Sequence, residues 1–333
     1  MPFDLSRIYN KKTLLLTHTA ADVDSFASAA AIYFCLNKKS TLTIGVPDHM
    51  NLNAKALAEK LNVPYQINPP FKDFDAIVCL DFNKSSMIGS KQNDFLAFEG
   101  EKFLIDHHVE DEEKIVSKNN SFTSTKAVSA TELVYELLKK SKQKIPKESY
   151  ACIGAGIITD SSSFLIADHK TFGIMSEVME KDNIPYSYLI DLIKVRKDFS
   201  EKIASLKAAK RARIFKFNDV IIAISDVGSF EAESASALIR LGADVAFCGF
   251  SEKNLIRISA RVNNAWRQKT KFDLAKDVLN NLGKHFPGKG GGHAGAAGFN
   301  GSGDDVSKHL EKCVELTKDF LAKKEKGNLK EYT

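Results

Sequence analysis

Short apolar runs alternate with helical patterns along the first half of the chain, which predicts an α/β fold. Apolar runs of this length, flanked by polar residues, are typical of buried parallel strands. These runs lie at 13–17, 41–46, 75–80 and 101–105. Apolar residues at helical spacing predict helices near 24–37, 53–61, 129–140 and 147–158. The alternation predicts an N-terminal doubly wound, mainly parallel sheet with helices on both faces.

The pattern starts again near residue 219 and predicts a smaller C-terminal α/β domain. Its predicted strands lie at 220–224, 244–250 and 255–262, and its helices begin near 231, 272 and 304. A glycine loop precedes the last helix, and we expect the substrate in a cleft between the two domains. The predicted boundaries are 1–190 for the first domain, 191–210 for a helical connector, 211–325 for the second domain and 326–333 for a polar tail.

Composition agrees with a cytoplasmic enzyme. The chain has 333 residues, enough for two domains, and no apolar run reaches the ~20 residues of a membrane span. Its five cysteines are scattered and mostly lie in apolar stretches, which favours reduced core residues. The net charge of +5 permits a polyanionic substrate but is too small for a typical duplex-DNA binder.

Acidic and imidazole residues stand where the apolar runs stop. The carboxyl ends of parallel strands meet at one crevice of an open α/β sheet, so residues far apart in sequence would lie close together there. Several carboxylates in one crevice need a cation to neutralise them. The residues in question are His18, Asp22, Asp24, Asp81, His107 and Asp160.

This ligand set favours two divalent cations. Carboxylate and imidazole together suit Mn²⁺, with Mg²⁺ as the second choice. Six ligands are too many for one ion once water and substrate need positions, so two ions about 3.5–4 Å apart are predicted. Alone, Asp81 or Asp160 has the simpler explanation of a helix cap or turn residue. The occurrence of such residues at four places favours the metal centre.

The same residues resemble the four motifs of the DHH phosphoesterase superfamily. The motifs are His18 to Ser25, then Asp81, then Asp106-His107-His108, and finally Asp160. The segment from Gly290 to Gly298 resembles the glycine-rich signature of the DHH-associated C-terminal domain. Two positions depart from the usual pattern: Ala20 stands where asparagine is usual, and Ser161-Ser162-Ser163 stands where Thr-Gly is common.

The resemblance implies a role for each motif residue. His18 and Asp22 would bind one ion, and Asp81 would bridge the two. Asp24, His107 and Asp160 would bind the other ion. Asp106 is expected to orient an imidazole or a nearby loop. His108 is the candidate for contacting the phosphate or the leaving oxygen.

The second domain carries candidate substrate-binding residues. Arg257, Ser259 and Arg261 alternate on one strand and so share a face. The two arginines are either exposed salt-bridge partners or grip a phosphate or base, and the resemblance favours the second interpretation, for Arg261 above all. The loop of Gly290, Gly291, Gly292 and His293 is either a flexible turn or a backbone cradle for an anion, which we favour.

These observations predict a metal-dependent phosphoesterase that uses water activated by two ions. By resemblance, its substrates would be short single-stranded oligonucleotides or phosphorylated nucleotides, as for a nano-RNase, a pAp phosphatase or an enzyme that hydrolyses linear or cyclic dinucleotides. An exopolyphosphatase or inorganic pyrophosphatase is the alternative. A non-catalytic nucleotide or nucleic-acid binding module is an alternative of another class. No membrane partner is expected, and a homodimer is left open.

Overall fold

The computed structural model describes residues 3–195 and 198–332. The chain forms two compact units that divide after Val195. The strands of the first unit are β1 (Lys12–Leu16), β2 (Thr41–Val46), β3 (Gln66–Ile67), β4 (Ala76–Leu80), β5 (Glu101–Asp106) and β6 (Ser121–Thr123). Its helices are α1 (Val23–Leu36), α2 (Leu52–Lys60), α3 (Gln92–Leu96), α4 (Ala130–Lys140), α5 (Lys147–Asp160), α6 (His169–Glu180) and α7 (Tyr186–Ile193), with 3₁₀ turns at Leu5–Ile8, Phe71–Asp73, Ser85–Lys91, Lys118–Asn120 and Lys181–Asn183.

The sheet of the first unit is parallel throughout its described strands, in the order β3-β2-β1-β4-β5-β6. From β1 the chain first adds strands on one side and then returns to add β4 on the other. The carboxyl ends of β1 and β4 therefore flank a topological switch point, where α/β sheets bind their ligands. This confirms the predicted doubly wound class.

The two faces of this sheet are covered unequally. Helices α1, α4 and α5 cover one face and bury a large core that includes Phe26, Leu133 and Ile153. The other face is covered by the short helices and loops between β3 and β5, in which Phe82 and Phe95 are fully buried. The prediction of helices on both faces is confirmed, with only short helices on the second.

Close helix packing brings three helix ends together beside the sheet. Helix α1 is rich in buried alanine, and α5 packs against both α1 and α4. A Cβ atom at Gly156 of α5 would lie 2.4 Å from the Thr131 side chain of α4 and 2.8 Å from Asp24 Oδ1 of α1. Only glycine permits this approach. The starts of α1 and α4 thus lie close to the last turn of α5.

The second unit is built on a mixed sheet. Its strands are β7 (Arg213–Phe217), β8 (Val220–Asp226), β9 (Val245–Glu252), β10 (Leu255–Val262), β11 (Gly288–Gly292), β12 (Ala296–Ser302) and β13 (Leu329–Tyr332), in the order β11-β12-β10-β9-β8-β7-β13. Strands β8 and β9 are parallel, and the other described neighbours are antiparallel. Its helices are α8 (Phe199–Arg211), α9 (Glu231–Arg240), α10 (Asn264–Thr270), α11 (Asn280–Leu282) and α12 (Val306–Ala322), with a π-helical turn at Leu274–Leu279.

Both faces of the second sheet are also covered. Helix α12 and the π-helical turn bury one face, around Phe247 and Phe299. Helices α8 and α9 cover part of the other face, around Leu238 and Cys248. This agrees with the predicted α/β class of the C-terminal half.

The structure adds detail to three segments of the sequence prediction. Within the predicted polar tail 326–333, residues 329–332 form the edge strand β13 and pair with β7. Arg213 fixes this pairing through Glu331, 2.7 Å away. The glycine loop is instead the hairpin β11–β12. Within the predicted connector 191–210, α8 packs against α9 of the second unit, and residues 196–197 lie outside the described residues.

No helix within 3–195 or 198–332 has both the length and the apolar character needed to cross a lipid bilayer.

Candidate functional site

The loop after β1 presents His18 with a defined tautomer. The Nδ1 atom lies 2.7 Å from the Thr19 carbonyl oxygen. A carbonyl can only accept, so Nδ1 carries the proton and donates it. In the neutral ring, Nε2 then carries the lone pair and faces Asp22 Oδ1 at 3.7 Å and Asp81 Oδ2 at 3.9 Å. His18 is therefore prepared to offer a lone pair to a ligand between these carboxylates.

Asp22 and Asp24 occupy the start of α1 and differ in exposure. Asp22 is the N-cap, and its Oδ1 accepts a 3.0 Å hydrogen bond from the Ser25 amide. Asp24 is fully buried. It accepts hydrogen bonds from the amides of Ala130 and Thr131, at 2.6 and 3.0 Å, and from the Thr131 hydroxyl at 2.7 Å. The N-terminus of α4 thus holds the Asp24 carboxylate in place.

Asp81 lies at the centre of the cluster. It follows β4 directly, is 3% exposed and has a left-handed φ of 64°. Its amide donates to the Ile105 carbonyl at 2.9 Å, which ties the turn to β5. One carboxylate oxygen faces His18, and the other lies 3.3 Å from His107 Nε2. Asp81 therefore faces both imidazoles, as a bridging ligand would.

His107 and Asp160 complete the side opposite His18. His107 Nε2 lies 3.2 Å from Asp160 Oδ2, in the last residue of α5. The other ring nitrogen of His107 is 3.4 Å from the Ala127 carbonyl oxygen. This contact orients the ring so that Nε2 points at the carboxylates.

His108 and Asp106 form a pair beside the cluster. Asp106, at the end of β5, is 1% exposed, and its Oδ1 lies 2.8 Å from His108 Nδ1. The same nitrogen is 3.5 Å from Asp81 Oδ1. The His108 side chain is about half exposed. Asp106 thus lies within hydrogen-bond distance of an imidazole, while its orienting role stays a prediction, and the ring of His108 borders the solvent.

The potential ligand atoms fall into three compact groups, each spanning less than 4.8 Å. One group is His18, Asp22 and Asp81, and another is Asp24, His107 and Asp160. The third joins Asp81 and His107 to His108. The structure thus brings together all six residues proposed as metal ligands, in the two sets expected for two ions. Their role as ligands stays a prediction.

Two buried atoms support the fit of this site to cations. Asp81 Oδ1 and His107 Nε2 are buried and have no partner with hydrogen-bond geometry among the described residues. An unsatisfied buried polar atom costs about 1–3 kcal/mol. A divalent cation would satisfy both atoms, since carboxylate and imidazole are the ligands that Mn²⁺ accepts.

The pKa values of this cluster indicate that protons and a cation would compete for the same atoms. Burial raises the pKa of Asp81 to about 6, and burial together with the charges of Asp81 and Asp160 raises the pKa of Asp24 well above its usual value. Burial lowers the pKa of His107, but contacts with Asp160 and Asp81 outweigh it and raise the pKa to about 11. Without a cation, these groups therefore retain protons that a cation would displace.

A network that the sequence did not reveal supports the His18 loop. Asp48 accepts hydrogen bonds from the Thr19 hydroxyl at 3.1 Å and from the Ser90 amide and hydroxyl. The next loop residue, Ala20, is exposed and has a left-handed φ of 54°. Asparagine tolerates this conformation better than alanine does. This gives a backbone reason for asparagine being usual at that position.

A depression of about 380 Å³ opens beside two of the candidate ligands, Asp22 and Asp160. Its polar lining includes four residues that the sequence analysis did not select as site residues: Asn51, Asn53, Ser162 and Ser163. Asn51 could have been noticed as the N-cap of α2. Asn53 carries no sequence signal of this kind. Their amide and hydroxyl groups suit contacts with a phosphoryl group or a sugar.

In the second unit, the two candidate arginines have different surroundings. Arg257 lies 3.0 Å from Glu231 Oε1 and 4.9 Å from the centre of the Phe250 ring. Arg261 donates a 2.9 Å hydrogen bond to the carbonyl of its neighbour Ala260 and has no ion pair within the described chain. The guanidinium of Arg257 is therefore occupied by contacts within the protein. The guanidinium of Arg261 has more donors available to bind an anion.

The glycine signature forms the hairpin β11–β12, with His293 exposed at the turn. A Cβ atom at Gly290 would lie 2.0 Å from the Leu279 carbonyl oxygen, so packing requires this glycine. A Cβ at Gly291 would meet nothing within 4 Å. Gly291 pairs with Gly298, which pairs with Ser259 between the two arginines. The hairpin thus places Gly291 and Gly298, which carry no side chains, beside Ser259 on the Arg257–Arg261 face.

The comparisons with known proteins agree with this architecture. Residues 12–157 match the family model described as the DHH family, N-terminal domain. An uncharacterized protein of Methanocaldococcus jannaschii, MJ0988, is 29% identical over 321 residues, which cover 93% of each chain.

The fold is similar to that of an exopolyphosphatase-related protein from Bacteroides fragilis. That structure has a TM-score of 0.60 and 20% identity, and the match covers 94% of this chain and 92% of that one. At this identity the likeness shows a shared fold. Residues 12–157 thus form a domain that matches the DHH family, and His18, Asp81 and His107 of its motifs lie close together in the structure.

Proposed function

We propose that this protein hydrolyses phosphoester bonds in short oligonucleotides or phosphorylated nucleotides, with two Mn²⁺ ions as its cofactors. Members of the DHH family are phosphoesterases that use divalent metals. One observation carries the proposal: six carboxylate and imidazole side chains converge where β1 and β4 end, and two of their buried atoms lack a hydrogen-bond partner among the residues that the structure describes.

Each of the two proposed cations has its own set of ligand residues. His18 and Asp22 would hold one cation, and Asp24, His107 and Asp160 the other, with Asp81 shared. Bound there, two cations would lower the pKa of a water molecule and offset the charge on the phosphoryl oxygens. Asp24 is kept in position by α4, and His18 by its bond to Thr19, so both offer fixed ligand atoms.

His108 is suited to handle a proton during the reaction. Its hydrogen bond to Asp106 raises its pKa, which favours the protonated imidazole. The ring is half exposed and lies at the edge of the cluster, so its Nε2–H can donate to the leaving oxygen of a substrate. Asp106 keeps the ring in this orientation and tautomer.

The second unit would bind the part of the substrate that does not react. Arg261, Lys289 and Gly291 share the face of the sheet that the hairpin β11–β12 extends. A guanidinium beside an open glycine backbone suits a phosphate, because the guanidinium offers paired donors and the glycines allow close approach. This charge distribution supports an anionic substrate longer than a single phosphate.

A substrate panel tests the proposal. The protein would be assayed with Mn²⁺, with Mg²⁺ and after chelation, on pyrophosphate, polyphosphate, pAp, cyclic dinucleotides and 5′-labelled oligonucleotides of two to twenty residues. We expect Mn²⁺-dependent hydrolysis of pAp or of the shortest oligonucleotides. Turnover restricted to pyrophosphate or polyphosphate would favour the alternative substrates. Binding of nucleotides without turnover in any metal would favour a binding module.

A further inference from the structure

A cavity of about 160 Å³ lies behind His108, between the ends of β5 and β6 and the loop that follows His108. It differs from the depression beside Asp22 and Asp160. One wall is apolar and consists of Leu104, Ile115 and Val116, all packed against the core of the thinner sheet face. An apolar cavity of about 150 Å³ is large enough to take up a benzene ring. The space therefore suits one flat ring system.

The polar part of the lining carries more acidic than basic side chains. The acidic residues are Asp106, Glu110, Asp111 and Glu113, the basic residues are Lys114 and Lys118, and Asn83 adds an amide. Asp111 pairs with Lys84 at 2.7 Å, and Glu113 accepts from the Ser85 amide at 3.3 Å. Glu110 has no hydrogen-bond or ion-pair partner among the described residues. Because these carboxylates can accept hydrogen bonds but cannot donate them, they favour a ligand with N–H donors.

This lining discriminates between the substrate classes that the metal centre alone leaves open. Four carboxylates outnumber the two lysines of the lining, so a phosphate group or polyphosphate chain would meet a net negative charge. A nucleobase presents no charge, has flat faces for the wall of Ile115 and Val116, and carries polar groups at its edge. The cavity borders His108, the residue proposed to contact the phosphate or leaving oxygen, so a base there would belong to the nucleotide being cleaved.

We infer that the cavity behind His108 is a base-binding subsite that selects nucleotides with an amino-bearing base. Adenine, guanine and cytosine offer exocyclic amino donors to Glu110, whereas uracil presents carbonyl oxygens at the matching positions. The inference rests on the proposed phosphoesterase function and deepens it. A hydrogen bond to a charged group contributes about 1.5–3 kcal/mol, which corresponds to roughly ten- to hundredfold in kcat/KM.

The test compares two dinucleotides with a substrate that has no base. The parent protein and its variants would be assayed with Mn²⁺ on pApA, pUpU and bis-p-nitrophenyl phosphate. We expect the parent to prefer pApA over pUpU by at least about tenfold. Glu110→Gln should reduce this preference. Ile115→Trp fills the cavity and should lower the ratio of kcat/KM on pApA to that on bis-p-nitrophenyl phosphate by at least about tenfold.

Controls separate the subsite from general effects. Leu96→Trp places the same bulky ring at an exposed site on α3, away from the cavity lining, and should keep the parent ratio. If Ile115→Trp does not fold, as judged by its melting curve, the Glu110→Gln comparison decides alone, because an exposed, unpaired side chain can be replaced without loss of packing. Equal rates on pApA and pUpU, combined with an unchanged ratio in Ile115→Trp, would overturn the subsite.

The assay results that would reject the subsite differ from those that would reject the proposed function. Mn²⁺-dependent hydrolysis of bis-p-nitrophenyl phosphate with no preference among bases would leave a phosphoesterase without this subsite. Hydrolysis of tripolyphosphate in preference to both dinucleotides would also overturn the subsite. No metal-dependent hydrolysis of any of the substrates would overturn the proposed function, and the subsite with it.

Discussion

The hydroxyl of Thr131 donates a 2.7 Å hydrogen bond to Oδ1 of Asp24, and both side chains are fully buried. The amide of the same threonine donates to the same oxygen at 3.0 Å. A buried carboxylate held by one helix end has little freedom to turn, so its remaining lone pairs keep a fixed direction. Thr131 is therefore a positioning residue for a proposed metal ligand.

Replacement of this hydroxyl should weaken one metal position. In Thr131→Val we expect one of two Mn²⁺ ions to bind roughly ten- to hundredfold more weakly, because a hydrogen bond to a charged group contributes about 1.5–3 kcal/mol. Titration calorimetry and metal analysis measure this directly. Thr131→Ser retains the hydroxyl and should bind both ions as the parent does. A Val variant with two ions of parent affinity would contradict the positioning role.

The shared position of Asp81 predicts a larger defect. Asp81→Ala should lower the metal content from about two ions to one or less, because a bridging ligand serves both. Asp160→Ala, which removes a ligand from one side only, should retain more metal and more activity. Metal analysis after dialysis, with activity on pAp, makes the comparison. Two tightly bound ions in Asp81→Ala would refute the bridging assignment.

Metal binding should strengthen as the pH rises. Asp81 has its pKa raised to about 6, so its contribution to the stability of the metal-free protein is present at low pH and is lost as the pH rises through 6. His107, with its pKa raised to about 11, contributes below its unfolded value and loses that contribution as the pH rises through 11. Cations compete with these protons.

The melting temperature measures this competition. At a Mn²⁺ concentration of about 100 times the Kd, binding should stabilise the fold by about 2.7 kcal/mol. At a fixed Mn²⁺ concentration, we expect a larger increase in Tm at pH 8 than at pH 5. The same increase at both values would mean that binding releases no protons from this cluster.

The two arginines of β10 should respond differently to truncation. Arg261→Ala should lower kcat/KM on pAp about ten- to hundredfold, because one charge-assisted contact is lost. Arg257→Ala should reduce the affinity less and the stability more, since its guanidinium pairs with Glu231 and lies over Phe250. Metal content should stay at the parent value in both variants. Equal losses on pAp and on bis-p-nitrophenyl phosphate would identify Arg261 as structural.

Substitutions that relieve the left-handed backbone strain at Ala20 should stabilise the fold. An L-residue with a side chain loses roughly 1–2 kcal/mol in this conformation. Ala20→Gly and Ala20→Asn should therefore stabilise the fold by about 1 kcal/mol, measured by urea unfolding. Ala97, which is also exposed but has a right-handed φ of −79°, is the matched control. Ala97→Gly should give no gain, and a similar gain at both sites would argue against relief of strain at Ala20.

Some features of the fold were visible in the sequence because burial imposes a pattern. The run that ends before Asp81 is continuously apolar, and the run before Asp106 contains the buried residues Phe103, Leu104 and Ile105, since a parallel strand inside the sheet is covered on both faces. Strand β11 has no such pattern, because glycine carries no side chain, so the hairpin resembled a loop. Strand β13 is charged and lies at a sheet edge, so only its pairing with β7 reveals it.

The residues of the candidate site also divide into those that the sequence pattern reveals and those that it does not. His18, Asp81 and Asp160 could be found because each stands at the end of an apolar run. Asp48 and Thr131 could not be found in this way. Both act by hydrogen bonds to residues far away in the sequence, and nothing in their local pattern marks that contact.

Strand β13 has a consequence for how this molecule behaves in concentrated solution. Without it, the backbone amides and carbonyls of β7 would form an open edge beside the exposed side chain of Ile214, and open edges recruit strands from other molecules. Strand β13 covers that edge with four residues and presents Lys330 and Glu331 to its surroundings. A short, charged outer strand is a poor template for further pairing. The final strand thus protects the second sheet against aggregation.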